Sequence, residues 1–429
     1  MQLTLVVSKT TLLHRKIYTL SFESLKLIEP ICRALATKGY ENPTPIQTKA
    51  IPVILDGRDL LGCAQTGTGK TAAFALPIIQ LLLNNPVNDA GRKPIRSLIL
   101  TPTRELAIQI GENFDSFSTH TGIRHAVVFG GVPQRSQVET IRRGVDVLIA
   151  TPGRLLDLIS QRIFTLRDLE IFVLDEADRM LDLGFVNDVK KIIRMIPEQR
   201  QTLFFSATMP PTIQQLANSI LNQPVKVQVT PVSSTAELVE QSVFFVEKQD
   251  KQNLLVHVLT NHTIDSALVF TKTKHTADRV AKNLNKAGIR AEAIHGDKSQ
   301  GQRQRALDNF KQRQTRVLVA TDIAARGIDI ENLSHVINYE LPNIPETYVH
   351  RIGRTGRAGA EGIAFSFCDR EEKMYLRDIH RLISREINED KNHPYPVSFE
   401  PVRAAVSSTG STMRAKNPFR SGRKSWSQA

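Results

Sequence analysis

Cysteine is scarce. Cys32, Cys63 and Cys368 are the only three in 429 residues and stand in no paired spacing, which argues against a disulfide framework or a zinc knuckle and favours a reducing compartment. Long apolar runs are also missing. The most apolar stretch, Ala72 to Leu83, is 12 residues long and contains Pro77 and Gln80, well short of the ~20 residues that span a bilayer. Neither a transmembrane helix nor a membrane partner is expected. Residues 1–20 hold Lys9, Arg15 and Lys16 without an acid, and they lack the sustained apolar core and small-residue cleavage site of a signal peptide. A cytoplasmic location is therefore expected. Acid is likewise absent after Glu400, where Arg403, Arg414, Lys416, Arg420, Arg423 and Lys424 cluster in a Ser- and Gly-rich tail expected to be disordered. A single tryptophan, Trp426, lies in that tail.

What is present is a globular composition, 41% hydrophobic and 23% charged, long enough for two or three domains. The 56 Lys and Arg exceed the 43 Asp and Glu, for a net charge of +13. Basic chains of this kind tend to bind polyanions. Nine of the cations sit in the two acid-free ends, so any polyanion site in the body is a local patch.

Short apolar runs recur between helical patterns. LLGC (60–63), SLILT (97–101), DVLIAT (146–151), IFVLD (171–175) and TLFFS (202–206) form one set, and ALVFT (267–271), RVLVAT (316–321), HVINY (335–339) and GIAFSF (362–367) a second. Runs apolar on both faces, separated by segments long enough for crossover helices, predict buried parallel strands. TPVSSTAE (230–237) has no apolar periodicity and reads as a linker. The fold class is α/β, with two doubly wound parallel-sheet lobes joined near residue 235.

Ala64-Gln-Thr-Gly-Thr-Gly-Lys-Thr71 follows a predicted strand and opens a helical pattern. That context suits a phosphate loop: backbone N–H groups converge on phosphate at a helix N-terminus, Lys70 reaches the β and γ phosphates, and Thr71 can ligate Mg²⁺. The strict pattern wants glycine where Ala64 stands, but Gly67, Gly69, Lys70 and Thr71 remain. Asp175-Glu-Ala-Asp178 ends another strand run. Carboxylates there lie in the ligand crevice of such a sheet, so Asp175 can hold Mg²⁺ and Glu176 can orient or deprotonate a water. Alone, an acidic helix start is the commoner explanation; beside a phosphate loop it is not.

Leu100-Thr-Pro-Thr-Arg104 and Ala150-Thr-Pro-Gly-Arg154 repeat one device, a strand, Thr-Pro, then arginine at a helix start. Thr101 and Thr151 are expected as N-caps with proline at the first helical position. Capping leaves the arginines unexplained, since a cation opposes the dipole there unless an anion is bound, so Arg104 and Arg154 are expected to contact a phosphate backbone. Gly130-Gly131 and Thr321-Asp322 also follow strand runs and can extend that track. His350-Arg-Ile-Gly-Arg-Thr-Gly-Arg357 places three arginines in eight residues, suited to act as fingers from the second lobe on transition-state charge. In Ala325-Arg-Gly-Ile-Asp329, Asp329 offers a carboxylate for ribose hydroxyls, although alone the stretch reads equally as a strand-end turn.

Together these residues resemble the DEAD-box ATP-dependent RNA helicases of superfamily 2, from about Phe22 to Leu382. The motifs run in family order: GYENPTPIQ (39–47), the phosphate loop, PTREL (102–106), TPGR (151–154), DEAD (175–178), Ser206-Ala-Thr208, VFTKT (269–273), ARGID (325–329) and HRIGRTGR (350–357). RMLDLGF, HGDKSQGQR and the stretch around HRIGRTGR look most like the bacterial RhlE-type branch. The resemblance implies two RecA-like domains: an extension (1–19), an adenine-recognition segment (20–48), an ATP-binding domain (49–229), a linker (230–239), a C-terminal helicase domain (240–400) and a basic tail (401–429). It implies ATP and Mg²⁺ as cofactors, with Gln47 reading adenine, Phe22 and Tyr40 beside the base, and Ala64, Gln65, Thr66, Gly67, Thr68, Gly69, Lys70, Thr71, Asp175, Asp329, Arg354 and Arg357 around the nucleotide. Lys70, Asp175, Glu176, Arg354 and Arg357 would carry catalysis, and Thr71 and Asp175 the metal. Arg104, Gly131, Thr151, Arg154, Thr273 and Thr321 would hold RNA, and Asp178, Ser206, Thr208 and His350 would couple the two sites. The expected activity is RNA-stimulated ATP hydrolysis with local, non-processive unwinding of short duplexes. An ATP-gated RNA clamp is the alternative and a DNA helicase a weaker one. RNA is the expected partner, with ribosomal or RNA-decay proteins beside it, and the chain is expected to be a monomer.

Overall fold

A computed structural model describes residues 21–64, 67–87, 93–229, 239–325, 333–356 and 362–397. The apolar runs become strands because both sheet faces are covered. In the strand Ser97–Leu100, Ile99 enters one core while Leu98 and Leu100 enter another on the opposite face, each such side chain contributing about 1.5–3 kcal/mol when fully buried.

The first sheet contains β1 (Leu60–Cys63), β2 (Ser97–Leu100), β3 (His125–Val128), β4 (Val147–Ala150), β5 (Ile171–Leu174), β6 (Gln201–Ser206) and β7 (Val225–Gln228). The second contains β8 (Val239–Phe245), β9 (Ala267–Thr271), β10 (Ala291–Ile294), β11 (Val317–Thr321), β12 (His335–Asn338), β13 (Gly362–Cys368) and β14 (Asn388–Glu389). Their orders are β3-β4-β2-β5-β6-β1-β7 and β10-β11-β9-β12-β13-β8-β14. Counted from β8, the second order repeats the first strand for strand, and the ladders are parallel in both. Register pairs Cys63 with Ser206, Leu174 with Phe204, and Leu100 with both Ala150 and Leu174. The turns after β1, β2, β4, β5 and β6 thus emerge along one edge, where ligands bind in such sheets. In the second sheet Thr271 pairs with Thr321 at the corresponding edge.

Every predicted strand run forms a strand, but β3, β7, β8, β10 and β14 are additional. Four of these are edge strands and β8 lies next to an edge; polar residues interrupt their apolar pattern, as Lys226 does in β7 and Glu240 in β8, both exposed. One capping expectation is corrected. The helix Arg104–Phe117 is capped by Thr103, whose hydroxyl accepts from Leu106 N, and not by Thr101. Pro102 therefore precedes the cap. The helix Pro152–Ser160 does have Thr151 as N-cap and Pro152 at its first position. Among the described residues no helix is long and apolar enough to cross a membrane.

Candidate nucleotide and RNA site

After β1 the chain turns through Gly67 and Gly69, both left-handed with φ of 82° and 91°, a conformation glycine adopts at little cost. Gly69 is the N-cap of the helix Lys70–Asn84. A Cβ at Gly69 would lie 2.5 Å from the Gln47 amide nitrogen, so glycine there serves both φ and close approach. Buried Gln47 donates from Nε2 to Gly69 O at 3.1 Å and accepts at Oε1 from Thr44 N at 2.9 Å. Its amide keeps one proton and one lone pair for a base edge. Tyr40 makes edge contacts with Phe22 and Phe117, ring centroids 6.5 and 5.9 Å apart, and remains half exposed. Ala64 is buried, whereas Gly67, Thr68 and Thr71 reach the surface to differing degrees.

Lys70 is the first residue of its helix and is buried; its ammonium donates to Ala64 O at 3.0 Å and lies 4.0 Å from Asp175. Asp175 is 2% exposed. Burial pushes its carboxyl up to about 6 against the pull of Lys70. Glu176 follows with φ of 52°, the kind of strained backbone that clusters at functional sites. Burial would raise its carboxyl too, but Arg179, Lys70 and Arg354 outweigh that and hold it below its ordinary value. Its Oε2 is ion-paired with Arg179 while buried Oε1 has no partner. Asp178 accepts from Thr208 N at 2.8 Å and Thr208 Oγ1 at 2.9 Å; Asp178 N donates to Ser206 Oγ at 3.2 Å, and that hydroxyl donates to Thr208 O at 2.7 Å. The ends of β5 and β6 are thereby locked together.

Two orphaned or raised carboxylate groups beside one ammonium suit a cation. Asp175 with Thr71 would offer a Mg²⁺ the one or two protein oxygens it commonly takes, the rest coming from phosphate and water.

Along the same edge, a Cβ at Gly131 would overlap the Arg104 guanidinium, so those two predicted RNA contacts pack together. Arg154 donates to Val132 O at 3.0 Å and Gln137 Oε1 at 3.3 Å, tying the turn after β4 to the same loop. In the second lobe Thr273 caps the helix Lys274–Lys286 by accepting from Thr276 N, and Thr321 ends β11. The helix Pro345–Ile352 carries His350, with Arg354 just beyond it and 5% exposed. Arg354 acts electrostatically on Glu176 across the lobes. Gln65, Thr66, Asp329, Arg357, the linker, the tail and Trp426 lie outside the described residues.

Sequence reasoning missed three side chains. Gln300 Nε2 donates to Glu105 Oε1 at 3.1 Å and Arg303 Nη2 lies 3.0 Å from the same oxygen, joining the second lobe to PTREL of the first. Arg351, read as part of a basic run, is 1% exposed; it grips Asp322 at 2.6 and 2.8 Å and donates to Asn338 and Glu340 O. Both stretches were conspicuous as polar runs, but nothing local identified their partners.

Fold and site together define a nucleotide-binding protein of two matched parallel sheets, the first holding the phosphate loop and the second reaching over with arginine. The chain matches the DEAD/DEAH box helicase family over residues 44–216 and the helicase conserved C-terminal domain over 250–359. It is 42% identical over 366 residues to the ATP-dependent RNA helicase CshA of Listeria monocytogenes, covering 85% of this chain and 69% of that protein. It is 44% identical over 370 residues to the RNA helicase CrhR of Synechocystis, covering 86% and 74%. Dbp5 of S. cerevisiae, solved bound to RNA and ADP BeF3, superposes with a TM-score of 0.75 at 30% identity over 86% of this chain and 95% of that one. A DEAD box protein from Methanococcus jannaschii is 40% identical with a TM-score of 0.52, over 86% and 99%. The chain belongs to the DEAD-box ATP-dependent RNA helicases.

Proposed function

We propose that this helicase hydrolyses ATP in response to RNA and uses the cycle to open short duplexes locally, without long translocation. The observation that carries the reading is the split site: Glu176 stands on the first lobe while Arg354, whose charge already acts on it, belongs to the second. Hydrolysis then depends on how the lobes meet, and so does RNA, whose proposed contacts lie on both. Each ligand favouring the same closed arrangement raises affinity for the other.

In this mechanism the backbone of Gly67 to Gly69 and the Lys70 ammonium cradle the triphosphate. Gln47 reads adenine beside Tyr40 and Phe22, which favours ATP over GTP. Thr71 and Asp175 would hold Mg²⁺, which supplies charge neutralisation at the phosphates. Glu176 must turn its carboxylate from Arg179 toward a water. Arg354, with Arg357, stabilises charge on the transferring phosphoryl. Arg104, Gly131, Thr151 and Arg154 grip one stretch of strand and Thr273 and Thr321 the next, so a bent strand leaves A-form geometry. The Asp178–Ser206–Thr208 knot and His350 relay closure between the sites. The RhlE-type branch, a cytoplasmic monomer, and ribosomal or RNA-decay partners complete the reading. The test is steady-state ATP hydrolysis with and without single-stranded RNA, beside Glu176→Gln, with GTP and single-stranded DNA as controls. RNA-only, ATP-only stimulation that the variant abolishes is expected; turnover indifferent to RNA overturns the coupling and favours the clamp.

A further inference from the structure

The second lobe carries a cation stripe that the proposed RNA track does not use. On the helix Lys274–Lys286, His275, Arg279, Lys282 and Lys286 are exposed at spacings of four, three and four residues, which put them on one face. At 1.5 Å per residue the stripe runs about 17 Å, starting two residues from the Thr273 cap. Among the described residues Arg279, Lys282 and Lys286 make no ion pair, while Asp278, the one acid on the helix, is taken by Lys298 at 2.8 Å and by His295 at 3.1 Å. The corresponding helix of the first lobe, Arg104–Phe117, exposes Glu112 and Asp115 instead. The stripe is therefore not a property of the repeated fold.

Its far end borders an open groove of about 630 Å³ between this helix and Lys251–Asn261. Gln252, Asn253, His257, Asn261, Asn283 and Tyr395 are among its lining, which includes Lys286 and no acid. The His257 and Tyr395 rings stand edge to face at 6.4 Å, and the buried Gln252 Nε2 has no partner. Amides for base edges, rings for stacking and unpaired cations for phosphate form the chemistry of a single-strand site.

We infer that this groove and its cation rim form a second RNA surface, which takes up single strand leaving the track past Thr273. An acidic protein segment would match the rim but gives the stacking rings and amides no role. The inference rests on the helicase reading above, and its test separates the two. The full chain and the variant Arg279→Ala/Lys282→Ala/Lys286→Ala are compared for binding to a short oligouridylate that saturates the ATPase and to a longer one that overhangs it. The variant should keep RNA-stimulated turnover and short-strand affinity, and lose about tenfold in long-strand affinity, with the salt slope on the long strand smaller by about 2. Equal affinities of both proteins for the long strand would overturn the surface while leaving the helicase reading intact. So would unchanged RNA binding with loss of retention on polyglutamate, which would give the rim to an acidic protein. Wild-type turnover indifferent to the short strand would sink the helicase reading and this inference with it. A groove variant, Asn253→Ala/Asn283→Ala, which leaves the Asn261 bonds to His257 in place, should weaken the long strand without altering the salt slope, as expected of base contacts and not of charge.

Discussion

Lys70 and Lys251 occupy the same place in the two lobes: each is the first residue of the helix that follows the first strand of its sheet. Around Lys70 the preceding turn contains glycines, the ammonium donates to Ala64 O, and the facing carboxylate, Asp175, is as far as 4.0 Å away, so the cation is only loosely paired. Around Lys251 the turn after β8 has no glycine, and the ammonium is closed off by Glu372 at 2.5 Å and Asp369 at 3.1 Å. One topology thus hosts a loosely paired cation in one copy and a neutralised one in the other. The opposite is true along the proposed RNA side, where Thr103 and Thr273 cap corresponding helices with the same hydroxyl bond, and Thr151 follows β4 while Thr321 ends the corresponding β11. In the proposed mechanism both lobes keep a phosphate-backbone grip, and only the first has a phosphate loop, toward which the second brings arginine.

The comparison predicts unequal effects. The largest falls on the shared chemistry: Arg354→Ala should lower kcat by about 10³–10⁵ while the melting temperature hardly moves, as measured by single-turnover hydrolysis beside thermal unfolding. An unaffected kcat would mean that the second lobe supplies no transition-state contact. Next comes Lys251→Ala, which leaves Asp369 without its ammonium and Glu372 with Lys272 and the Leu341 N–H; the second lobe should lose about 3–5 kcal/mol by denaturant unfolding. The matched Lys70→Ala should abolish ATP turnover and cost far less stability. If the two lysines behaved alike, the contrast between a loosely paired and a neutralised cation would be wrong.

A smaller effect is expected on the grip. Arg104→Ala with Arg154→Ala should weaken single-stranded RNA binding and reduce the salt slope by about 1.4, the value for two phosphate contacts on single strands; an unchanged slope removes the first lobe's half of the track. The smallest concerns pH. Burial pushes Asp175 to about 6, so the folded protein retains a proton that the unfolded chain releases near 3.9. The associated stability is present below about 4 and lost as pH rises through about 6. Binding Mg²⁺ and ATP requires the charged carboxylate, so their affinity should fall about tenfold per unit below pH 6 and level off above it. Calorimetric titration across that range checks the slope, and a flat profile would mean that Asp175 does not hold the metal.

Much of the arrangement was legible in the chain. Inner strands such as IFVL and VLVAT are apolar without interruption because both of their faces are buried, and the phosphate loop announces itself because its chemistry needs glycine, lysine and threonine at adjacent positions. Edge strands were not legible, since a half-exposed strand of four residues such as β10 carries too little pattern to distinguish it from a turn. Thr103 displaced the expected cap at Thr101: the helix begins two residues later than the Thr-Pro pattern suggests, where the Thr103 hydroxyl accepts from Leu106 N, whereas the same pattern at Thr151-Pro152 caps as expected.

The amino-acid order by itself determined the nucleotide chemistry, the two-lobe plan and the threonine and arginine turns, because each rests on residues that are neighbours along the chain. Tertiary structure alone decided that Arg351 anchors Asp322, that Lys251 is silenced by Asp369 and Glu372, and that Glu105 receives Gln300 from 195 residues away. Those outcomes depend on which charges meet in a space that excludes water. Only the folded sheets bring such distant groups to within hydrogen-bonding distance and remove the solvent that would otherwise screen them.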